Sequence, residues 1–294
     1  VSWLNDNENL LVKLLPKNRI ALIDTKKDLP KGPTVSKSDG SISQNPTFQD
    51  LLKNKTDEQN FEPLITSDLY KITVTGKAEL FKSAAMYAGV SVSPDGNYVL
   101  ITTIQRPFSY VVPYYRFPQT SVVYDIKGNE IKVVNEVPLI ENIPKGFDSA
   151  PMGKRDMSWR NDEPSTLYYV VALDEGDKAN KVEFRDEVFL WNAPFTSEAT
   201  SIFKTRQRFA GIIWGNNKIA IGYDQWYDTR NVKTYIINPS VFNQNPKVIY
   251  DRNYQDIYSD PGSFETKKNM YGRYALIIEK DNAYLIGDGY SKEG

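Results

Sequence analysis

VSVSPDGNYVLITTIQRPFSYVVPYYRFP, residues 90–118, carries two different signals in succession. Its first half reads as two short strands joined by Ser93-Pro94-Asp95-Gly96. Proline presets φ at the second turn position and glycine supplies the positive φ that follows. The second half, from Arg106 to Pro118, is neither alternating nor helical. It packs five aromatics, three prolines and two arginines into thirteen residues, the composition of a shaped loop.

The first signal recurs. Residues 1–10, 90–99, 157–167 and 211–219 share one plan, in which a serine or aromatic residue precedes a tight polar turn and an apolar strand follows. A degenerate fifth copy spans residues 268–278. The first four copies are each followed by a closing strand pair: residues 69–81 around Thr75-Gly76, 121–134 around Lys127-Gly128-Asn129, 188–203, and 233–250. The Gly and Asn residues are those that hairpin turns require. A β-sandwich would also carry Pro-Asp-Gly hairpins, but it does not require tryptophans and serines to return at one place in the plan. The expected fold is therefore all-β, a β-propeller in partial ring form with about four to six four-stranded blades. The whole of 1–294 is read as one propeller fragment, with blade-like units near 1–89, 90–156, 157–210, 211–267 and 268–294.

Composition narrows the function. The chain has 294 residues, with 36 basic against 37 acidic side chains, so the cationic excess of a nucleic-acid binder is missing. No run approaches the roughly 20 apolar residues of a membrane span. There is no Cys and no His. Neither a Ser-His-Asp nor a Cys-His site can form within this chain, and the commonest metal ligands are lacking. The sequence starts at Val1 inside a strand-like run without a leader, and it reads as a fragment of a longer protein.

The largest insertion is residues 26–61. Its first part, 26–45, is rich in Lys, Pro, Ser and Gly and reads as a surface loop. Residues 46–54 then read as a short helix capped by Thr47, with Phe48, Leu51 and Leu52 on one side. Asn54-Lys55-Thr56 is a formal glycosylation sequon of a kind common by chance. Gly289-Tyr290-Ser291-Lys292-Glu293-Gly294 is one residue too long for a nucleophile elbow, and a hairpin turn is the better reading. Asp174-Glu175-Gly176-Asp177 lacks the alternating ligands of a calcium loop and reads as an acidic turn. No catalytic residue, metal site or cofactor is assigned.

The arginines carry the remaining chemistry. Arg106, Arg116, Arg155, Arg160, Arg185 and Arg230 sit at strand ends or in loops beside aromatics, where a planar guanidinium can stack or hold a carboxylate bidentately. The competing role is pairing with the nearby Asp156, Asp162, Asp186 and Asp228.

The series Arg106-Pro-Phe-Ser-Tyr110, Val112-Pro113, Arg116-Phe-Pro118, Val137-Pro-Leu139, Asn142-Ile-Pro144, Phe147, Ser158-Trp-Arg160, Pro164-Ser-Thr-Leu167, Arg185-Asp186, Trp226-Tyr227, Thr229-Arg230, Asp251-Arg252 and Tyr258-Ser-Asp-Pro-Gly262 resembles the propeller part of glutamyl endopeptidases in the prolyl oligopeptidase family. The resemblance implies a parent enzyme whose triad lies in a C-terminal α/β-hydrolase domain that this chain lacks. It implies a non-catalytic propeller that gates access and helps position peptide substrates for cleavage after Glu or Asp. Arg106, Tyr110, Tyr115, Arg116, Arg155, Trp226 and Arg230 are the candidates for substrate binding or the interdomain face. The expected partners are a peptide substrate and the hydrolase domain. A stand-alone propeller binding a protein or glycan is the alternative, and a carboxylate-based hydrolase a third reading that no residue spacing supports. A bacterial periplasmic or secreted setting is favoured, with the plastid stroma as the other.

Overall fold

A computed structural model describes residues 1–24 and 48–289. Four successive four-stranded antiparallel sheets fill most of it. The first holds β1 (Ser2–Trp3), β2 (Asn9–Leu14), β3 (Ser67–Thr73) and β4 (Ala78–Ala85); the second β5 (Tyr87–Val92), β6 (Tyr98–Ile104), β7 (Gln119–Asp125) and β8 (Glu130–Val137). The third holds β9 (Lys154–Trp159), β10 (Thr166–Ala172), β11 (Asp186–Asn192) and β12 (Thr200–Thr205); the fourth β13 (Arg208–Trp214), β14 (Ala220–Trp226), β15 (Asn231–Ile237) and β16 (Lys247–Asn253). Every sheet is a meander in chain order, which is the blade plan of a β-propeller. Three short two-stranded pairs follow between Ser263 and Ile286.

Local chemistry explains the repeat. A carboxylate takes over the turn: Asp6 accepts from the Glu8 and Asn9 amides, Asp95 from the Asn97 amide, and Asp125 from the Lys127 and Asn129 amides. Gly96 supplies the left-handed φ of +78° that the Pro94-Asp95 turn needs. Trp3, Val92, Trp159 and Trp214 are each the last residue of the first strand of their sheet.

Burial is low on the last strand of the first, second and fourth sheets. The second strands β6, β10 and β14 carry consecutive buried residues, as in Val99-Leu100-Ile101 and Ala220-Ile221, because both of their faces are covered. The fourth strands β4, β8 and β16 are mostly exposed, whereas β12 buries Ile202, Phe203 and Thr205, and charges such as Lys132 and Glu136 keep the open edge of β8 in water.

The chain forms two compact units: residues 1–92 with 99–143, and 93–98 with 144–294. In the first, Leu4, Leu11 and Leu69 pack with Val92, Val99 and Ile101. In the second, Val170, Val188, Ile202 and Phe203 pack with Trp214, Tyr235 and Ile237.

The helix lies elsewhere than the apolar spacing suggests. Residues 48–54 are not helical, and the helix α1 occupies Lys55–Ile65. Asn54 is its N-cap, its side chain accepting from the Asp57 amide, while the Asp57 carboxylate accepts from the Lys53 amide. Phe48 and Leu52 still pack inward, against Val112 and Phe117, but from irregular chain. Thr47, the 26–45 loop up to its neighbour Pro46, and Ser291 lie outside the described residues, apart from part of the final turn before Tyr290.

Candidate functional site

The seven residues singled out in the sequence divide between the units. In the first unit, Arg106, Tyr110, Tyr115 and Arg116 occupy the connection from β6 to β7. Phe108 stacks on Phe117 with centroids 5.3 Å apart, and Phe61 of α1 meets both edge-on. This apolar wedge fixes the loop against the helix.

Arg106 closes the same contact with charge. Its Nε and Nη2 donate to Glu62 at 3.0 and 2.6 Å, and its Nη1 donates to Glu58 at 3.0 Å. The Tyr110 hydroxyl donates to Glu58 at 2.5 Å. That bond, followed by the one from Lys55 and then the Arg106 contact, holds the Glu58 carboxyl below its ordinary range. The same bond pushes the Tyr110 phenol up. Arg106 and Tyr110 are thus engaged by two carboxylates of the inserted helix.

Arg116 is in a different state. It ends the 3-10 turn Tyr114–Arg116, and its guanidinium lies 5.0 Å from the centre of the Phe48 ring. Its Nη1 is buried, and it has neither a hydrogen-bond acceptor nor a carboxylate partner among the described residues. Tyr114 and Tyr115 stand beside it with exposed rings. Tyr115 meets Tyr114 edge-on at 6.0 Å.

In the second unit, Arg155 belongs to an ion network. Its Nη2 donates to Asp186 and its Nη1 to Asp156 at 2.8 Å. Arg208 bridges Asp186 (3.1 Å) and Asp174 (2.7 Å), and Arg185 also donates to Asp174 at 2.7 Å. Asp174 and Asp186 are fully enclosed. Burial pushes the Asp174 carboxyl up, but the hydrogen bonds from Arg208 and Arg185 outweigh it and hold the group below its ordinary range. Residues 173–176 form a turn, in line with the acidic-turn reading, and Asp174 within it anchors a charge network.

Trp226, the last residue of β14, lies under the Arg185 guanidinium at 4.7 Å. Next to it rises a stack: Arg230 sits 3.7 Å over the Tyr227 ring, and Phe147 lies parallel to that ring at 4.0 Å. Phe147 is 76% exposed. Arg230 also donates to the Tyr254 hydroxyl at 3.3 Å; that bond and the Tyr227 contact push its pKa up. It has no carboxylate partner among the described residues, since Asp228 is taken by Lys178 at 2.8 Å. A shallow cavity of about 380 Å³ between Phe147, Arg155 and Arg208 lies in this unit.

Pairing with neighbouring aspartates thus holds for Arg155 with Asp156 and for Arg160 with Asp162, fails for Arg230, and for Arg185 goes to Asp174 in place of Asp186. Glu58, Glu62 and Arg208 were not apparent from the sequence, and Phe147 and Tyr227 stood there only as members of the motif series.

No protein-family model matches the chain. A rice protein (Oryza sativa subsp. japonica) described as probable glutamyl endopeptidase, chloroplastic, is 36% identical over 300 residues, which is 99% of this chain and 32% of the relative. The chain is a homologue of the glutamyl endopeptidases. The Arabidopsis thaliana protein of the same description is 34% identical over 302 residues, 99% of this chain and 31% of its own length. The chain spans about a third of the length of these curated relatives, and the resemblance carried by the Arg106–Pro118 motifs is borne out. Solved structures with partial similarity include an acylaminoacyl peptidase in complex with Z-Gly-Gly-Phe-chloromethyl ketone (16% identity, TM-score 0.38, 69% of this chain and 30% of that chain). Another is the β-propeller domain of the Trilobed protease from Pyrococcus furiosus (13% identity, TM-score 0.39, 76% and 56%).

Proposed function

We propose that this chain is the substrate-admitting propeller of a serine peptidase, with each four-stranded sheet one blade and the blade-like units near 1–89, 90–156, 157–210, 211–267 and 268–294. The catalytic Ser, Asp and His belong to a C-terminal α/β-hydrolase domain of the same parent chain. The propeller contributes no nucleophile. It limits which peptides enter, and its cationic groups favour an acidic side chain before the cut.

The observation that carries this reading is Arg116. A guanidinium partly withdrawn from water, with an unpartnered N–H group among the described residues and exposed tyrosines beside it, is suited to accept a carboxylate. Arg230, stacked on Tyr227 and without a carboxylate, supports the same role in its own unit. Arg106 and Arg155 are already neutralised, by Glu58 and Glu62 and by Asp156 and Asp186, and in this reading they shape the loops. Tyr110, Tyr115 and Trp226 form walls.

The test uses the parent enzyme extended through its hydrolase domain, with matched peptides carrying Glu or Gln before the scissile bond. Arg116→Met lowers the Glu-over-Gln ratio of kcat/KM by about tenfold or more, the scale of one charge-assisted contact. An unchanged ratio in both Arg116→Met and Arg230→Met removes the specificity reading. Cleavage by the 294-residue chain alone removes the domain reading.

A further inference from the structure

A cavity of about 760 Å³ lies within the second unit, lined in part by Asp95, Asn97 and Arg160 and by none of the seven residues singled out in the sequence. It falls within the range of about 300 to 1,000 Å³ usual for small-molecule sites. Its walls come from five separate loops, and their key side chains are held by contacts of their own. Asp95 is saturated: it accepts from Ser93, Ser165 and Asn97, and it serves the wall as a brace. Arg160 is only 3% exposed, lies 4.7 Å over the Trp214 ring, and gives its Nε and Nη2 to Asp162 and Asn217. Its Nη1 keeps its N–H groups without an acceptor among the described residues.

The wall therefore offers both halves of a hydrogen-bonding code. Donors are Arg160 Nη1 and the carboxamides of Asn192 and Asn217, whose oxygens are already engaged by Thr166 and Arg160. Acceptors are the carboxylates of Glu163, which has only a 3.8 Å contact to Arg160, and Glu198, which has no cation partner among the described residues. Phe242 stands at the rim, 57% exposed, a flat apolar surface beside a polar hollow.

This mixture selects a ligand class. An anion would face Asp95, Glu163 and Glu198 with one arginine already neutralised by Asp162. A cation would leave the Arg160 and asparagine donors unpaired in a partly enclosed site, which costs free energy. An apolar ligand would strand both sets. A neutral polyol satisfies donors and acceptors together, since each hydroxyl is both, and its C–H face covers an aromatic ring. We propose that this cavity is a binding site for a neutral oligosaccharide, oriented by Arg160, Asn192, Asn217 and the two glutamates and stacked on Phe242.

The test is calorimetric titration of the full 294-residue chain with maltotriose, cellotriose and chitotriose, with spermidine as the cationic comparison. At least one trisaccharide is expected to bind with an affinity that salt leaves unchanged, as befits a neutral ligand. Phe242→Ala and Glu198→Gln, both at exposed positions, each weaken it by about tenfold, and Arg116→Met in the other unit leaves it intact. The proposal fails if no trisaccharide binds up to about 10 mM, if spermidine binds and the sugars do not, or if both pocket variants bind like the parent.

Discussion

Asp224 offers the sharpest test of the structure's electrostatics. It is fully enclosed on β14, between Ala220 and Trp226. Its Oδ2 accepts from the Tyr235 hydroxyl at 2.7 Å and the Gln207 amide at 3.0 Å, but its Oδ1 is buried with no partner among the described residues. Burial pushes its pKa up to about 6, more than these hydrogen bonds and Lys233 bring it down. Relative to an ordinary value of 3.8, that is a shift of about two units, worth about 3 kcal/mol. A group whose pKa is raised by folding stabilises the protein below its unfolded value and loses that contribution as pH rises through its folded value. Asp224→Asn keeps the shape and removes the buried charge. Urea unfolding of parent and variant from pH 4 to 8 therefore gives curves in which the variant gains relative to the parent by about 3 kcal/mol, mostly between pH 4 and 6.5. A difference that stays flat over this range, or grows in the parent's favour as pH rises, refutes the reasoning.

The other predictions concern packing and caps. Arg208→Met leaves Asp174 and Asp186 short of a cation they share, and should lower unfolding stability by about 3 kcal/mol, read from urea midpoints. Asn54→Ala removes the cap of α1 and should cost about 1 kcal/mol, seen as faster amide exchange in residues 55–60 ahead of the sheets. Gly176→Ala puts a Cβ 1.8 Å from the Ala150 carbonyl at a φ of +73°, and should lower the melting temperature by more than the cap variant does.

The sheets were legible because their signals are local. Pro94-Asp95-Gly96 and Lys127-Gly128-Asn129 fix turns within five residues, and the tryptophans mark where first strands end. The helix was misplaced because Phe48, Leu51 and Leu52 have helical spacing, whereas the decisive event is the reciprocal bonding of Asn54, Asp57 and Lys53 a few residues on. The site was legible by composition and not by pairing. Arg116 and Arg230 keep the unneutralised character that made the arginines candidates. Arg106 does not, because Glu58 and Glu62 reach it from 44 to 48 residues away, a separation over which sequence carries no pairing signal.

The meander order of the four sheets also bears on how the chain acquires its structure. Almost every ladder joins strands adjacent in sequence, so each sheet can zip from its own turns with little loop entropy to overcome, and sheets emerging early in synthesis need not wait for later ones. The short pair Ser263–Phe264 with Leu285–Ile286 is an exception, and within the four-stranded sheets the longest connection is that between β2 and β3, residues 15–66. Closing that span in place of a four-residue turn costs about 2 kcal/mol more. Of these four sheets the first should thus be the slowest to complete, with β1 and β2 waiting as an open hairpin until β3 arrives.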